Sequence, residues 1–232
     1  MTFSHALRRA GQAARANFLP GLLLQILLLI FLGLYLAHEG TRQVLFQVAD
    51  LKQEAGYLFA FVSYVLSAAV LPELLRIGIF QKGSPTKQNF YNFLSSAPAW
   101  GAMGILVDAF YRLQTLWFGT GNDAGTILIK VVVDQLIFSP FVGNALMIGY
   151  FSWRDSGFRL SALRKIFNRD FFPERIFPVQ VAGWCIWIPG VSLVYFMPSE
   201  LQIPVASLIQ AFWVLVFTML NRARLTAEPS SR

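Results

Sequence analysis

The sequence predicts an all-α polytopic membrane protein, a bundle of about six transmembrane helices with both termini on the same side. Three observations predict it: an apolar composition, six long apolar segments, and basic residues that alternate between the connections. Hydrophobic residues make up 56% of the 232 residues and charged residues only 13%, against about 25% charged in ordinary soluble domains. A soluble fold of this size needs more polar residues for its outer layer. The composition therefore excludes a cytosolic enzyme, a disordered chain and a disulfide scaffold.

Six apolar segments reach or approach the length of about 20 residues that a helix needs to cross a bilayer core. Pro198 separates the last two, because it cannot continue a helix. The connections are short, so we expect a single integral membrane domain over 1–232, with a basic amphipathic arm at 1–18 and a tail at 223–232. The six segments are 19–37, 57–80, 90–118, 124–153, 177–197 and 201–220.

The basic residues outside these segments test the span count independently. In chain order the arm, the connections and the tail hold 3, 2, 3, 0, 6, 0 and 3 Lys and Arg residues, with Arg76 counted beside the second connection. High and low counts alternate, as the positive-inside rule requires of six spans with both ends inside. The net charge of +7 is thus interpreted as a topology signal and as contact with anionic lipid headgroups. A nucleic-acid partner is not expected.

Two segments are predicted to lie on the membrane surface. The arm at 3–16 is rich in Arg and free of acidic residues; a transit peptide is the alternative interpretation. After the fourth span, apolar and basic residues alternate at steps of three and four, which predicts an interfacial amphipathic helix that contacts lipid or a partner. The apolar positions are Leu160, Leu163, Phe167 and Phe171, and the basic ones are Arg159, Arg164, Lys165 and Arg169.

Three spans carry ionisable residues in pairs of opposite sign, one helical turn apart. A single charge near the bilayer centre costs about 2.5–3.5 kcal/mol, so unpaired charges there need a reason. The pairs are Glu73 with Arg76, Asp108 with Arg112, and Lys130 with Asp134.

Three interpretations of these pairs remain open. They line a polar path, they are structural salt bridges inside the bundle, or some lie near span ends and extend to the interface. Gln135 and Asn144 would extend a polar stripe along the fourth span. Gln25, Gln180 and Gln210 would serve equally as interhelical hydrogen-bonding groups.

Catalytic and cofactor motifs are not found in the sequence, so we expect no enzyme, no cofactor and no metal. There is no Gly-rich phosphate loop, and His5 and His38 fall outside the spans. Cys185 is interpreted as a small buried hydrophobic residue. An aspartyl pair of Asp108 and Asp134 is disfavoured, because each has a cation one turn away.

The fourth span carries a family resemblance. The stretch Lys130-x-x-x-Asp134-Gln135-x-x-x-x-Pro140 resembles the Lys/Asp-Gln/Pro stretch of the family named for Mpv-seventeen and the twenty-two-kilodalton peroxisomal membrane protein. Pro198 followed by Trp213 is similar to its last helix. The likeness is densest over 107–140, and 57–222 would form the family-like bundle, with 19–37 as an additional span.

This resemblance implies a small membrane protein linked to permeability for small solutes. It implies a mitochondrial inner or peroxisomal membrane, or the cytoplasmic membrane in a bacterium. Val191 and Val194 stand where the family has Gln and Asn, so its selectivity does not carry over.

The leading functional hypothesis is a passive pore or channel-like protein for small solutes or ions. Two other hypotheses stay open: a non-conducting membrane organiser that uses the basic loop 154–175, and a proton-coupled carrier with Asp134 or Glu73 as the proton site. A homo-oligomer is compatible with each. The residues expected to line or gate the pore are Glu73, Arg76, Asp108, Arg112, Lys130, Asp134 and Gln135.

Overall fold

The computed structural model describes the backbone of residues 3–227, and the side chains of residues 18–215 together with Gly11 and Arg15. Helices account for 88% of the chain, and the described residues contain no strand. The predicted all-α class is therefore confirmed. The end of the predicted tail, 228–232, and most side chains of the N-terminal arm lie outside the described residues.

The described backbone forms eight helices. Five of them contain segments long and apolar enough to cross a membrane: α1 from Phe18 onward, α3, α4, α5 and α7. The predicted sixth span coincides with α8. Among the described side chains, the turn before α8 and the start of α8 form a shorter apolar segment, Ser199–Leu215. The helices are α1 (Phe3–Ala37), α2 (Glu39–Ala55), α3 (Tyr57–Phe80), α4 (Lys87–Phe118), α5 (Ala124–Asp155), α6 (Leu160–Ile166), α7 (Phe171–Phe196) and α8 (Gln202–Ala227).

Local sequence determines where α4 and α5 begin and end. Thr86 and Asn89 form a capping box at the start of α4, with Asn89 Oδ1 accepting from the Thr86 backbone N–H at 2.7 Å. Gly119 follows Phe118 with φ of +81°, a backbone conformation that favours glycine and ends the helix. The carboxylate of Asp123 accepts from the backbone N–H groups of Gly125 and Thr126 and caps α5.

Close approach between α3 and α4 depends on glycine. A Cβ atom at Gly104 would meet the carbonyl oxygen of Ala60 and the side chain of Tyr64. A Cβ at Gly101 would overlap the ring of Phe61. These two glycines therefore bring the α4 backbone against α3, as small residues commonly do between membrane helices.

The outer face of the bundle is apolar. Leu29 is 67% exposed and Leu116 is 81% exposed. Many other large hydrophobic side chains are also exposed. Such a surface is expected where a protein contacts lipid. Cys185 is exposed as well, so its interpretation as a buried residue is wrong; it lies on the outer surface of α7.

Helix α2 is not predicted by the sequence pattern, which indicates a connection over 39–55. The charged residues of this segment obscure the apolar positions between them. His38 caps the helix by accepting from the Thr41 backbone N–H at 3.1 Å. Ala49 and Lys52 are its buried residues, and the helix packs against the turn Ser199–Leu201 before α8.

Two boundaries of the predicted interfacial segments also differ. The backbone of 3–37 is one continuous helix through Pro20 rather than an arm followed by a span. Helix α6 ends at Ile166, and Phe171 belongs to α7, so the four predicted apolar positions do not share one helix. Phe171 is buried with Ile166, whereas Leu160 is 74% exposed.

Candidate functional site

A cavity of about 410 Å³ lies within the helix bundle. Side chains of α3, α4, α5, α7 and α8 surround it. Its volume falls in the range of about 300–1,000 Å³ that is typical of small-molecule sites. The polar and aromatic side chains in its lining are Tyr64, Trp100, Tyr111, Asp134, Gln135, Phe138, Ser139, Asn144, Gln180, Trp187, Gln210 and Trp213.

Asp134 is the acidic residue of this cavity and is 4% exposed. Its Oδ2 atom accepts from the hydroxyl of Tyr195 at 2.7 Å. Its Oδ1 atom accepts from Gln135 Nε2 at 2.9 Å and from Ser139 Oγ at 3.0 Å. Three neutral donors therefore hold this carboxylate in place, without an ion pair among the described residues.

A hydrogen-bonded chain extends from Asp134 toward the end of the bundle that holds α2. Gln114 Nε2 donates to the Tyr195 hydroxyl at 2.9 Å and to the Lys130 carbonyl at 3.0 Å. Gln114 is completely buried, and its Oε1 atom has no hydrogen-bond partner among the described residues. The chain fixes Tyr195 between α4 and α5, so the donor to Asp134 is well positioned.

Helix α5 contributes most of the polar lining through an irregular stretch, because Asp134–Asn144 is wound as a π-helix. Pro140 lies five residues after Gln135 and has no N–H to donate, so the Gln135 carbonyl lacks a π-helical partner. Gln180 Nε2 of α7 donates to that carbonyl at 2.8 Å, and Trp184 Nε1 donates to it at 3.4 Å. Proline thus exposes a backbone acceptor that ties α5 to α7.

The far part of the polar stripe is an interhelical pair. Asn144 Nδ2 donates to Gln180 Oε1 at 2.7 Å. Gln25 of α1 also bonds across helices, since its Nε2 atom donates to the Cys185 carbonyl at 3.2 Å. The interhelical hydrogen bonds predicted for Gln25 and Gln180 are therefore formed.

Three buried polar side chains of the lining make no hydrogen bond with another described residue. They are Tyr64, Tyr111 and Gln210, which are 6%, 5% and 8% exposed. Their polar atoms are not among the fully buried atoms without a partner in the described part of the chain, and all three line the cavity. Such groups around a cavity indicate a site for a polar ligand or for water.

The predicted pair of Lys130 and Asp134 is not formed. Lys130 Nζ donates instead to the carbonyl of Gly119 at 2.7 Å, at the end of α4. A cation is favourable there, because the last carbonyls of a helix carry partial negative charge. Of the three interpretations of the charged residues, Lys130 fits the one in which the side chain extends toward the end of a span.

Asp108 is paired twice, and one of its partners comes from a segment that the sequence predicts to be a loop. Arg112 Nη2 lies 3.1 Å from Asp108 Oδ2, as the spacing predicts. Lys52 Nζ of α2 lies 3.3 Å from Asp108 Oδ1, and both side chains are buried. The guanidinium of Arg112 is also 4.8 Å from the centre of the Tyr57 ring. This ion cluster joins α2, α3 and α4.

Glu73 and Arg76 form the third predicted pair, at the opposite end of the bundle. Arg76 Nε lies 3.6 Å from Glu73 Oε1, and the Arg76 side chain is 51% exposed. Glu73 also accepts from Asn89 at 2.7 Å and from Asn92 at 3.1 Å. The cluster therefore ties the end of α3 to the start of α4.

Of the seven residues predicted to line a path, Asp134 and Gln135 surround the cavity. The other five, Glu73, Arg76, Asp108, Arg112 and Lys130, do not line it. Pairing by spacing along one helix ignores partners on neighbouring helices, which is why the predicted pairing of Lys130 with Asp134 is wrong and Lys52 is missed. Tyr195 and Gln114 are missed because a tyrosine near a span end and a single glutamine are common in membrane helices.

The predicted lipid-contacting residues Arg159, Arg164, Lys165 and Arg169 are all exposed. They surround α6 beside the exposed side chains of Leu160 and Phe167. This arrangement agrees with an interfacial position.

Fold and site together define an integral membrane protein with several spans and a mostly apolar cavity between helices, into which a few polar side chains project. No protein-family model matches the chain, and no solved structure matches it. The likeness to the Mpv-seventeen family stays a prediction.

Proposed function

We propose that this protein is a pore or channel-like permeability factor, which lets a small polar solute cross the membrane through the cavity beside Asp134. The observation that carries the proposal is a cavity of about 410 Å³ between membrane helices, lined by an acid without a cationic partner among the described residues. An ionisable side chain inside a span costs about 2.5–3.5 kcal/mol at the bilayer centre. A group retained without a salt bridge is best explained by contact with water or solute.

The polar groups of the lining lie at several levels along the bundle. Polar groups follow the π-helical stretch of α5 from Asp134 through Ser139 to Asn144. A solute in the cavity is therefore offered successive hydrogen-bonding partners, as in a permeation path.

The topology belongs to the same proposal. We place both termini on the side with the high counts of Lys and Arg, and we treat α8 as the sixth span. Membership of the Mpv-seventeen family, and with it an organelle membrane, is supported by the residues of 107–140. A pore of this kind needs neither a nucleotide nor a metal.

A cavity-filling variant tests the proposal. A Cβ atom built at Gly143 meets no heavy atom closer than 4.0 Å, and Gly143 lines the cavity. Gly143→Leu has room for its Cβ atom and should place apolar volume in the cavity, and leucine favours a helix over glycine. Flux of small polar solutes into liposomes with purified protein should fall below that of the wild type.

Gly33→Leu is the matched control. Gly33 is an exposed helical glycine in α1, and a Cβ atom added there would meet no heavy atom within 4 Å. It should leave flux unchanged. Equal flux in the wild type and both variants would count against the cavity as the path, and wild-type liposomes that stay impermeable to every solute would refute permeation itself. Flux that follows an imposed pH gradient would indicate a proton-coupled carrier instead of a pore.

A second candidate function, membrane organiser, is favoured by the exposed basic and apolar side chains of α6 and of the residues that flank it. Leu160 is 74% exposed and Phe167 is 53% exposed, beside four exposed cations. Exchange of Arg159 and Arg164 for Gln should release any partner that copurifies in stoichiometric amount under mild extraction. Absence of such a partner from the wild-type preparation would argue against this function.

A further inference from the structure

We infer that the cavity selects organic cations, that is, small ammonium compounds with an apolar body. The inference rests on the proposed function in taking the cavity as the solute site, and it goes further by naming the chemical class of the solute. It follows from the charge, the aromatic walls and the unused hydrogen-bonding positions of the cavity.

The charge of the lining favours a cation. Among the described residues that surround the cavity, Asp134 alone has an acidic or basic side chain. The nearest lysine in sequence, Lys130, directs its ammonium to the Gly119 carbonyl. A ligand with a positive charge supplies the partner that the protein does not provide, whereas an anion would be repelled in a medium of low dielectric constant.

The walls of the cavity are aromatic on several sides. Trp100, Trp187, Tyr64 and Tyr111 come from three helices, and each contributes to the lining. The faces of aromatic rings carry partial negative charge and attract ammonium groups, tryptophan most strongly. Aromatic cages of this type are used by proteins to bind quaternary ammonium ligands.

The carboxylate of Asp134 has room for one more donor. A carboxylate has about four acceptor positions, and three donors from the protein are present: Tyr195, Gln135 and Ser139. Two of them converge on Oδ1, so the open position is on Oδ2. An ammonium N–H, or the positive charge of a quaternary ammonium, completes the site.

The unsatisfied polar groups suit a ligand with a second, neutral polar group. Tyr64, Tyr111 and Gln210 are each more than nine-tenths buried, line the cavity, and have no hydrogen bond to another described residue. They come from α3, α4 and α8, whereas Asp134 lies on α5. A hydroxyl on the ligand would find donors and acceptors on these three helices, in addition to the carboxylate of Asp134.

Binding to the purified full-length protein in nanodiscs tests the inference by isothermal titration calorimetry. The cationic probes are methylammonium, tetramethylammonium and choline. The alcohol 3,3-dimethylbutan-1-ol, here called dimethylbutanol, is the neutral carbon analogue of choline. The anion 3,3-dimethylbutanoate, here called dimethylbutanoate, has a similar shape. The best cation should bind about 10- to 100-fold more tightly than dimethylbutanol, the worth of one charge-assisted contact, and dimethylbutanoate should not bind.

Asp134→Asn should reduce the affinity for the cation to that of dimethylbutanol. Glu73→Gln, the same loss of one negative charge outside the cavity, should bind like the wild type. If Asp134→Asn does not fold, the affinities of the wild type for the cationic, neutral and anionic probes still test the inference. Equal affinity for choline and dimethylbutanol, or no binding by any cation, overturns the inference.

Binding and flux separate the two proposals. If choline binds selectively but does not cross the liposome membrane, permeation fails and the ligand class stands. If neutral and anionic solutes cross as fast as choline and no cation is preferred in binding, the ligand class fails and permeation stands.

Discussion

Asp108 and Asp134 are buried acids in neighbouring spans, and their surroundings differ completely. Asp108 is 1% exposed and is held by two cations, Lys52 and Arg112. Asp134 is 4% exposed and is held by neutral donors only, among the residues that the structure describes. The charge of Asp108 is balanced by cations of the protein, whereas Asp134 borders a cavity.

The difference separates structural from functional charge in a membrane bundle. A paired acid has its electrostatic needs met within the protein, so it can order helices but offers little to a solute. An acid without a cation leaves electrostatic potential directed into the adjacent space. Burial alone does not distinguish these roles, whereas the identity of the partners does.

Asp108→Asn should give the largest loss of stability. The exchange leaves the buried ammonium of Lys52 without its counter-charge, and breaking a buried pair typically costs about 3–5 kcal/mol. Thermal unfolding in detergent, followed by tryptophan fluorescence, measures the effect. A melting temperature equal to that of the wild type would show that the ion cluster does not hold α2 against α4.

The double variant Lys52→Met/Asp108→Asn should recover part of that loss. Methionine preserves the apolar length of lysine and removes the unpaired charge, so the double variant should be more stable than Asp108→Asn by about 1–3 kcal/mol. The same unfolding measurement with Lys52→Met completes a double-mutant cycle. Strict additivity of the two single changes would mean that the two residues do not interact.

Asp134→Asn should cost less stability, about 1–3 kcal/mol, because the amide nitrogen cannot accept from a donor that now bonds the carboxylate. Asparagine keeps one acceptor, and no cation is left alone when the negative charge is removed. Unfolding under the conditions used for Asp108→Asn gives a direct comparison. A loss as large as that of Asp108→Asn would break the distinction between the two acids.

Asp123→Ala should give the smallest effect on the melting temperature, and this effect should depend on pH. Its pKa is lowered, first by the hydrogen bond from the Thr126 hydroxyl and then by the Thr126 backbone N–H. Because the folded-state pKa lies below the unfolded one, the cap stabilises the protein above the unfolded pKa and loses this as the pH falls through the folded pKa. Wild type should therefore melt slightly above Asp123→Ala at neutral pH and lose that advantage in acid.

Asp123→Asn serves as the control, because asparagine also caps helices and does not titrate. Its melting temperature relative to Asp123→Ala should stay constant with pH. A wild-type advantage that persists in acid would contradict the assignment of the cap to the ionised carboxylate.

Much of the fold is predictable from the sequence. Helices α3, α4 and α5 and the end of α7 lie near the predicted bounds, because apolar length and the positions of Gly119, Asp123 and Pro198 determine them locally. Helix α2 is not predictable in the same way, since its buried lysine counts as a loop charge in the sequence pattern. Only the folded structure, in which Lys52 of α2 forms an ion pair with Asp108 of α4, reveals this partner.

The site is only partly predictable. Asp134 and Gln135 stand out as polar residues in an apolar span, and both line the cavity. Tyr195 lies 61 residues away in sequence from Asp134, so no spacing rule connects them. The cavity itself depends on how five helices leave space between them, which a sequence pattern along one helix does not encode.

Solute flux per folded molecule, compared between Asp134→Asn and Asp108→Asn in liposomes, tests the central claim most directly. Normalisation to the folded fraction removes the difference in stability between the two variants. The account predicts that Asp134→Asn loses flux although it is well folded, and that the folded molecules of Asp108→Asn conduct like the wild type. Wild-type flux in Asp134→Asn, together with loss of flux in folded Asp108→Asn, would contradict it.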